Sequence, residues 1–244
     1  MNVEGKKTAP IGVFDSGVGG LTVVREMIRQ LPDENIVYFG DTARVPYGSK
    51  SQNTIIRFSE QIIRFLQKKQ VKTIVIACNT ASALALDAVR DEFDVPILGV
   101  VTPGARAAVE ATRNLKVGVV GTDATVQSGV YTKIIQRMNP KIEVIEKACP
   151  LFVPLVEEGF KEHNVTREII EYYLESMKST DIDAMILGCT HYPLLRSKIR
   201  TYMGDKIQIV NPAYETAMDL KKLLEEQNMA NDGTKGPHSH YEFF

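Results

Sequence analysis

The chain has 244 residues, enough for one large domain or two small ones. A hydrophobic fraction of 44 % beside 24 % charged residues excludes a largely disordered chain, and a net charge of −1 excludes a global pull on nucleic acid or anionic lipid. No apolar run approaches the ~20 residues of a membrane span, and no signal-like stretch follows the N-terminal lysines. The expectation is a cytoplasmic protein with no nucleic-acid and no membrane partner.

The first predicted strand covers 11–14 and leads through Asp15-Ser16-Gly17 into a helix over 20–31, stopped by Pro32. A strand at 36–39 precedes a helix over 51–69, with Ile55, Ile56, Ile62, Ile63 and Leu66 on one side. Lys68 and Lys69 read as the solvated end of that helix. A strand at 73–77 is followed by a helix over 80–92, and a strand at 97–101 by a helix over 103–112. The pattern repeats with strands at 117–120, 142–145, 184–187 and 207–210, and helices over 125–138, 166–178 and 214–226. Each strand is apolar nearly throughout, the pattern of a strand buried on both faces. Residues 228–240 are polar and contain Gly and Pro, a loop by composition, and His238 and His240 read as solvated. The closing Tyr-Glu-Phe-Phe suits one more strand.

Alternation of strand and helix is the signature of an α/β fold with parallel sheets. A weak internal repeat runs through it. Gly12 matches Gly118 at an offset of 106, and the second strands keep that offset; Cys78 and Cys189 are 111 apart. Each half reads strand, helix, strand, then a strand ending in Cys and Thr. Two similar α/β lobes with central parallel-type sheets are expected. One comprises residues 1–100 plus 211–244 and the other residues 101–210, with the active site in the interlobe cleft.

Three cysteines are too few, and odd in number, for a disulfide framework. Cys78 and Cys189 close apolar strands at the edge where open parallel sheets bind ligands. A thiol at a helix N-terminus meets backbone N–H groups and the helix dipole, which favour thiolate. Either cysteine alone reads as a small buried hydrophobe. The matched placement in both halves points to chemistry. Cys149, beside Pro150 and without a counterpart, reads as structural. Asp15, Ser16, Asp41, Tyr47, Gly48, Asn79, Thr80, Thr190 and His191 gather at the same predicted edges. Hydroxyls, amides and N–H groups suit a small carboxylate, and Asp15 suits an ammonium.

Other motifs fail on detail. Residues 15–22 have neither the glycine spacing of a dinucleotide loop nor the Gly-Lys-Ser/Thr ending of a phosphate-binding loop. Cys189 and His191 supply two zinc ligands where about four are needed, so no metal site is expected.

The segments IGVFDSGVGGLTV, DTARVPYG, ACNTAS, VTPGARAA and LGCTHYPLL together resemble the glutamate racemases, cofactor-independent bacterial enzymes of the wider aspartate/glutamate racemase group. The resemblance runs from Ile11 to about Leu224. His191-Tyr192-Pro193 after the second Cys-Thr favours the glutamate branch. The resemblance implies L- and D-glutamate as substrates, D-glutamate supplied to peptidoglycan, no cofactor, and a homodimer. It makes Cys78 and Cys189 the catalytic pair, Cys78 serving the D enantiomer with Asp15 and Cys189 the L enantiomer with His191. It places an assisting carboxylate at Glu157, with Glu158 adjacent. It makes Asp15, Ser16, Tyr47, Gly48, Asn79, Thr80, Thr190 and His191 substrate contacts. Val45 departs from the family pattern, which often has Cys there, and the family pattern continues past Phe244 into a further helix. Two other classes fit the same residues: a related racemase or isomerase with another substrate, and a two-lobe amino-acid sensor.

Overall fold

The computed structural model describes residues 3–233 and 239–244. The chain divides into two compact units, one formed by residues up to Val100 together with Ala213 onward, the other by Val101–Pro212. His238 lies outside the described residues. Among the described residues no helix is long and apolar enough to cross a membrane.

The first unit opens with a short helix, α1 (Val3–Thr8), and builds its sheet from β1 (Ile11–Asp15), β2 (Ile36–Gly40), β3 (Thr73–Ile76) and β4 (Ile97–Gly99). The order is β4-β3-β1-β2, extended beyond β2 by β9 (Tyr241–Phe243), and every ladder is parallel. Side chains alternate across the sheet. Ile11, Val13, Val75 and Ala77 face one side, where α2 (Leu21–Gln30) and α12 (Pro212–Glu226) cover them. The stripe Ala213, Ala217, Leu220, Leu224 on α12 has the spacing of one helical face. Phe14, Ile74 and Ile76 face the other side, under α3 (Gln52–Lys68), α4 (Asn79–Leu84) and α5 (Leu86–Arg90).

The second unit repeats the plan. Its strands are β5 (Lys116–Gly121), β6 (Glu143–Ala148), β7 (Ala184–Gly188) and β8 (Gln208–Val210), in the parallel order β6-β5-β7-β8. Read from the other edge this is β8-β7-β5-β6, the same circuit as β4-β3-β1-β2. One face carries Val120, Met185 and Leu187 against α9 (Phe152–Glu157), α10 (Asn164–Lys178) and α11 (Arg196–Met203). Helices α6 (Val101–Ala111) and α8 (Val130–Met138) pack on the opposite side. Between them in sequence, α7 (Asp123–Ser128) starts at Thr122, whose hydroxyl accepts from the Thr125 N–H at 3.3 Å.

Several expectations change in detail. The uniform offset fails for the second strands: Ile36 pairs with Ile11, and the residue pairing with the equivalent Val117 is Val144, not Ile142. Nor is β6 apolar and doubly buried. It is an edge strand with Glu143 exposed and the rest half-buried. The helix expected over 80–92 breaks at Ala85, and that over 125–138 breaks at Gly129, whose φ of 60° is left-handed and ends a helix cheaply only in glycine. Ile56 is half-buried rather than in the core. Lys69 is not a solvated end: its Nζ lies 2.9 Å from Glu242 and 4.0 Å from the centre of the Phe244 ring, fastening β9 to α3.

The N-terminal edge of the first sheet is held by a buried ion pair. Lys72 Nζ meets the Glu34 carboxylate and also donates to the carbonyls of Lys7 at 2.7 Å and Met229 at 2.9 Å. Glu34 in turn accepts from the Asn231 N–H at 2.8 Å. A charge left unpartnered there costs more than the pair gains. Lys72→Met is expected to destabilise the protein by about 3–5 kcal/mol, with part regained in the double variant with Glu34→Gln, measured by denaturant unfolding.

In the second unit Asp183 closes the turn after α6. It accepts from the Thr112 hydroxyl at 2.6 Å and the N–H groups of Arg113 and Asn114 at 2.8 and 2.9 Å. Burial alone raises its pKa, but these donors outweigh that and hold it below the ordinary 3.8. The unfolded carboxyl therefore takes up protons first as pH falls. Asp183→Asn is expected to cost about 1 kcal/mol above pH 4, a gap that closes at lower pH, read by urea titrations across pH.

Candidate active site

In the first unit the alternation of β1 aims Asp15 toward α2. The carboxylate is fully buried, and its Oδ2 accepts from the N–H groups of Gly17 at 3.1 Å and Gly20 at 2.9 Å. Glycine is required at residue 20, because a Cβ there would stand 2.4 Å from the Asp15 Cβ and 2.7 Å from the Tyr38 hydroxyl. Tyr38 donates that hydroxyl to the Gly17 carbonyl, fixing the loop from the neighbouring strand.

Cys78 leaves β3 and caps α4, its Sγ accepting from the Ala81 N–H at 3.5 Å. Asn79 and Thr80 form the buried first turn of α4. Ser82, one turn on, donates to the Ile76 carbonyl at 2.9 Å and accepts from the Val100 N–H at 3.2 Å, so the ends of three elements share one hydroxyl. The helix N-terminus does not make this thiol acidic, contrary to expectation. Burial pushes the Cys78 thiol up to about 12, the Asp15 carboxylate adds to the rise, and donation from Ala81 and from the hydroxyl and N–H of Ser16 offsets it only in part. A six-residue helix has little dipole to set against full desolvation.

Tyr47 and Gly48 lie in a short 3-10 turn, Tyr47–Ser49. The buried Tyr47 hydroxyl donates to Asp41, and Arg44 Nε donates to the same carboxylate at 2.8 Å. The phenol is therefore committed to holding the turn, leaving Gly48 half-buried beside it.

In the second unit Cys189 follows β7. The turn Cys189-Thr190-His191-Tyr192 is closed by the Tyr192 N–H on the Cys189 carbonyl at 3.1 Å and runs into a 3-10 turn, Tyr192–Leu195. The fold brings back His191, whose Nδ1 is 3.8 Å from Cys189 Sγ. Its Nε2 is 3.0 Å from Glu157 Oε1, at the end of α9. With Glu157 ionised, Nε2–H donates to it and the bare Nδ1 faces the thiol, the tautomer that accepts a thiol proton. Glu157, the last residue of α9, makes this contact although it is itself exposed, and Glu158 follows as the exposed C-cap. Thr190 is buried within the turn.

Thus Asp15, Ser16, Cys78 and the Asn79-Thr80 turn come together in one unit, and Cys189, Thr190, His191 and Glu157 in the other. Cys149 is fully buried, its thiol donating weakly to the Lys147 carbonyl at 3.7 Å and pushed up to about 12 chiefly by burial. The positioning groups Tyr38 and Ser82 carry no sequence signal, since each serves a backbone group distant in the chain. No group of three or more His, Cys, Asp or Glu side chains suited to a metal ion is present among the described residues.

Each of two matching parallel sheets thus ends one strand in a buried thiol, Cys78 near the Asp15 carboxylate and Cys189 linked through His191 to Glu157. A family model described as Asp/Glu/Hydantoin racemase matches residues 11–219, and the chain belongs to that family of racemases. It is 46 % identical over 231 residues to glutamate racemase of Geobacter metallireducens, covering 95 % of this chain and 86 % of the relative. The crystal structure of a glutamate racemase isoform from Bacillus anthracis superimposes with a TM-score of 0.94 at 40 % identity, covering 98 % of this chain and 88 % of that one. Glutamate racemase from Francisella tularensis, crystallised with D-glutamate, gives 0.90 at 39 % identity, covering 97 % and 88 %.

A protein whose only thiol is Cys78, made by Cys149→Ser and Cys189→Ser, is expected to show no thiolate ultraviolet absorbance below about pH 10 without ligand. Titration near the ordinary thiol value of 9.0 contradicts the site described.

Proposed function

We propose that this chain interconverts L- and D-glutamate by direct proton transfer at the α-carbon, one thiol removing a proton from one face and the other returning a proton to the opposite face. The observation that carries the reading is the paired chemistry. Each unit sets a buried strand-end cysteine beside a carboxylate, directly at Asp15 and through His191 at Glu157. The glutamate racemases among the relatives, one crystallised with D-glutamate, support the substrate.

Cys78 acts on the D enantiomer and Cys189 on the L enantiomer. Substrate arrival changes the electrostatics that keep Cys78 protonated. An α-ammonium held by Asp15 cancels part of that carboxylate's repulsion, the contribution second to burial, and lowers the thiol from about 12. On the other side His191 takes the Cys189 proton and shares the charge with Glu157, in the manner of a nucleophile-base-carboxylate relay. Ser16, Gly48, Asn79, Thr80 and Thr190 provide donors for the α-carboxylate, where charge builds as the proton leaves. Tyr47 serves by shaping its turn. Two thiols suffice for the chemistry, so the reading requires no cofactor. It also places the protein in the cytoplasm, supplying D-glutamate to peptidoglycan. All three cysteines are free thiols, in keeping with a reducing compartment. The homodimer rests on the family resemblance alone.

Proton NMR of the purified protein with L-glutamate in D2O, without added cofactor, is expected to show loss of the α-proton signal, with optical rotation decaying in parallel. Cys78→Ala and Cys189→Ala are each expected to lower kcat/KM for racemisation by about a hundred- to ten-thousand-fold. An unchanged α-proton, followed by exchange with L-aspartate in the same tube, moves the substrate elsewhere in the family.

A further inference from the structure

Tyr192 is a large buried group of the second half-site with no part in the proton transfers just described. Its side chain is fully buried, and its hydroxyl donates to two carbonyls, Gly121 at 3.0 Å and Cys149 at 2.8 Å. These carbonyls lie where β5 and β6 end. They are tied to each other as well, since the Cys149 N–H donates to the Gly121 carbonyl at 2.9 Å. The Cys149 carbonyl also accepts the Phe152 N–H at 3.1 Å, which starts α9, the helix that ends in Glu157. The Phe152 ring meets the Tyr192 ring edge-on at 5.1 Å. One hydroxyl and one ring thus join the turn bearing Cys189 and His191 to the helix bearing Glu157. Burial and the neighbouring thiols hold the phenol well above its ordinary pKa, so it stays a donor at every working pH.

We propose that Tyr192 is a positioning residue for the Cys189 thiol, setting the His191–Glu157 contact through its hydrogen bonds to Gly121 and Cys149. The proposal rests on the two-thiol reading. It differs from a general packing role in what it couples. Freeing the turn from the ends of β5 and β6 shifts His191 against Glu157 and changes the basicity at Nδ1, the nitrogen facing Cys189. Every hydrogen bond and ring contact of this linkage lies within the unit that bears Cys189, and Cys78 belongs to the other unit.

Tyr192→Phe keeps the ring and removes the hydroxyl. The test is the pH profile of kcat in each direction for the parent, Tyr192→Phe and Glu157→Gln. In L-to-D turnover Cys189 is the base and governs the acidic limb; in D-to-L turnover it is the acid and governs the basic limb. The expected result is a shift of these two limbs by about half a pH unit or more, with the limbs governed by Cys78 in place. A uniform drop in rate with all four limbs unmoved, or a shift of all four, overturns the proposal. If Glu157→Gln also leaves the Cys189 limbs unmoved, the His191–Glu157 relay is wrong and the inference falls with it. If the parent does not racemise glutamate, the functional reading fails first. Should Tyr192→Phe not fold, Phe152→Leu keeps the phenol and loosens its contact with α9; unmoved Cys189 limbs in that variant count against the proposal.

Discussion

A parallel strand buried on both faces must release its chain into a loop while its last amides and carbonyls still need partners. That requirement organises the C-terminal edge of both sheets. Asp15 answers the N–H groups of Gly17 and Gly20, Tyr38 the Gly17 carbonyl, Ser82 both Ile76 and Val100, and Tyr192 the carbonyls of Gly121 and Cys149. The polar groups that complete the backbone lie beside the thiols of the proposed site. Structural satisfaction and chemical placement are one set of hydrogen bonds here.

The two units share a circuit of strands but not a solution to thiol chemistry. Cys78 has a carboxylate as a direct electrostatic neighbour, with donors from Ser16 and Ala81 on its sulfur. Cys189 has an imidazole between itself and its carboxylate. In the first case burial, with Asp15 adding to it, disfavours thiolate. In the second a proton acceptor is built into the protein. The proposed reaction, with each thiol base in one direction and acid in the other, is compatible with such unlike partners.

Much of this was legible in the sequence where the signal is local. The strand read over 11–14, followed by a glycine-rich turn, is the buried strand Ile11–Asp15 feeding a helix, and of the stripe Ile55, Ile56, Ile62, Ile63 and Leu66 all but Ile56 are buried. Short elements were not legible. Helix α9 has six residues with Pro154 inside it, and α11 buries only Ile199 and Met203. Ile142 and Val144 read as one core strand, yet only Ile142, just before β6, is buried, because the strand's place at the sheet edge decides its exposure. The thiols stood out through the repeat. The Glu157 contact with His191 joins residues far apart in sequence and came only from resemblance. Sequence suggests an acidic Cys78 because helix polarity is visible there and desolvation, which raises the thiol, is not.

The first unit is discontinuous along the chain, with the whole of the second inserted between Val100 and Ala213. During synthesis β1 to β4 leave the ribosome long before α12 exists to cover Val13, Val75 and Ala77. The groups that meet Lys72 and Lys69 from Met229 and Glu242 arrive later still. The inserted unit, contiguous from Val101 to Pro212, has all its strands in hand earlier. Assembly order therefore runs against chain order. The half-site nearest the N-terminus is the last to be finished, and its unfinished apolar face is the part of the nascent protein most in need of protection from aggregation.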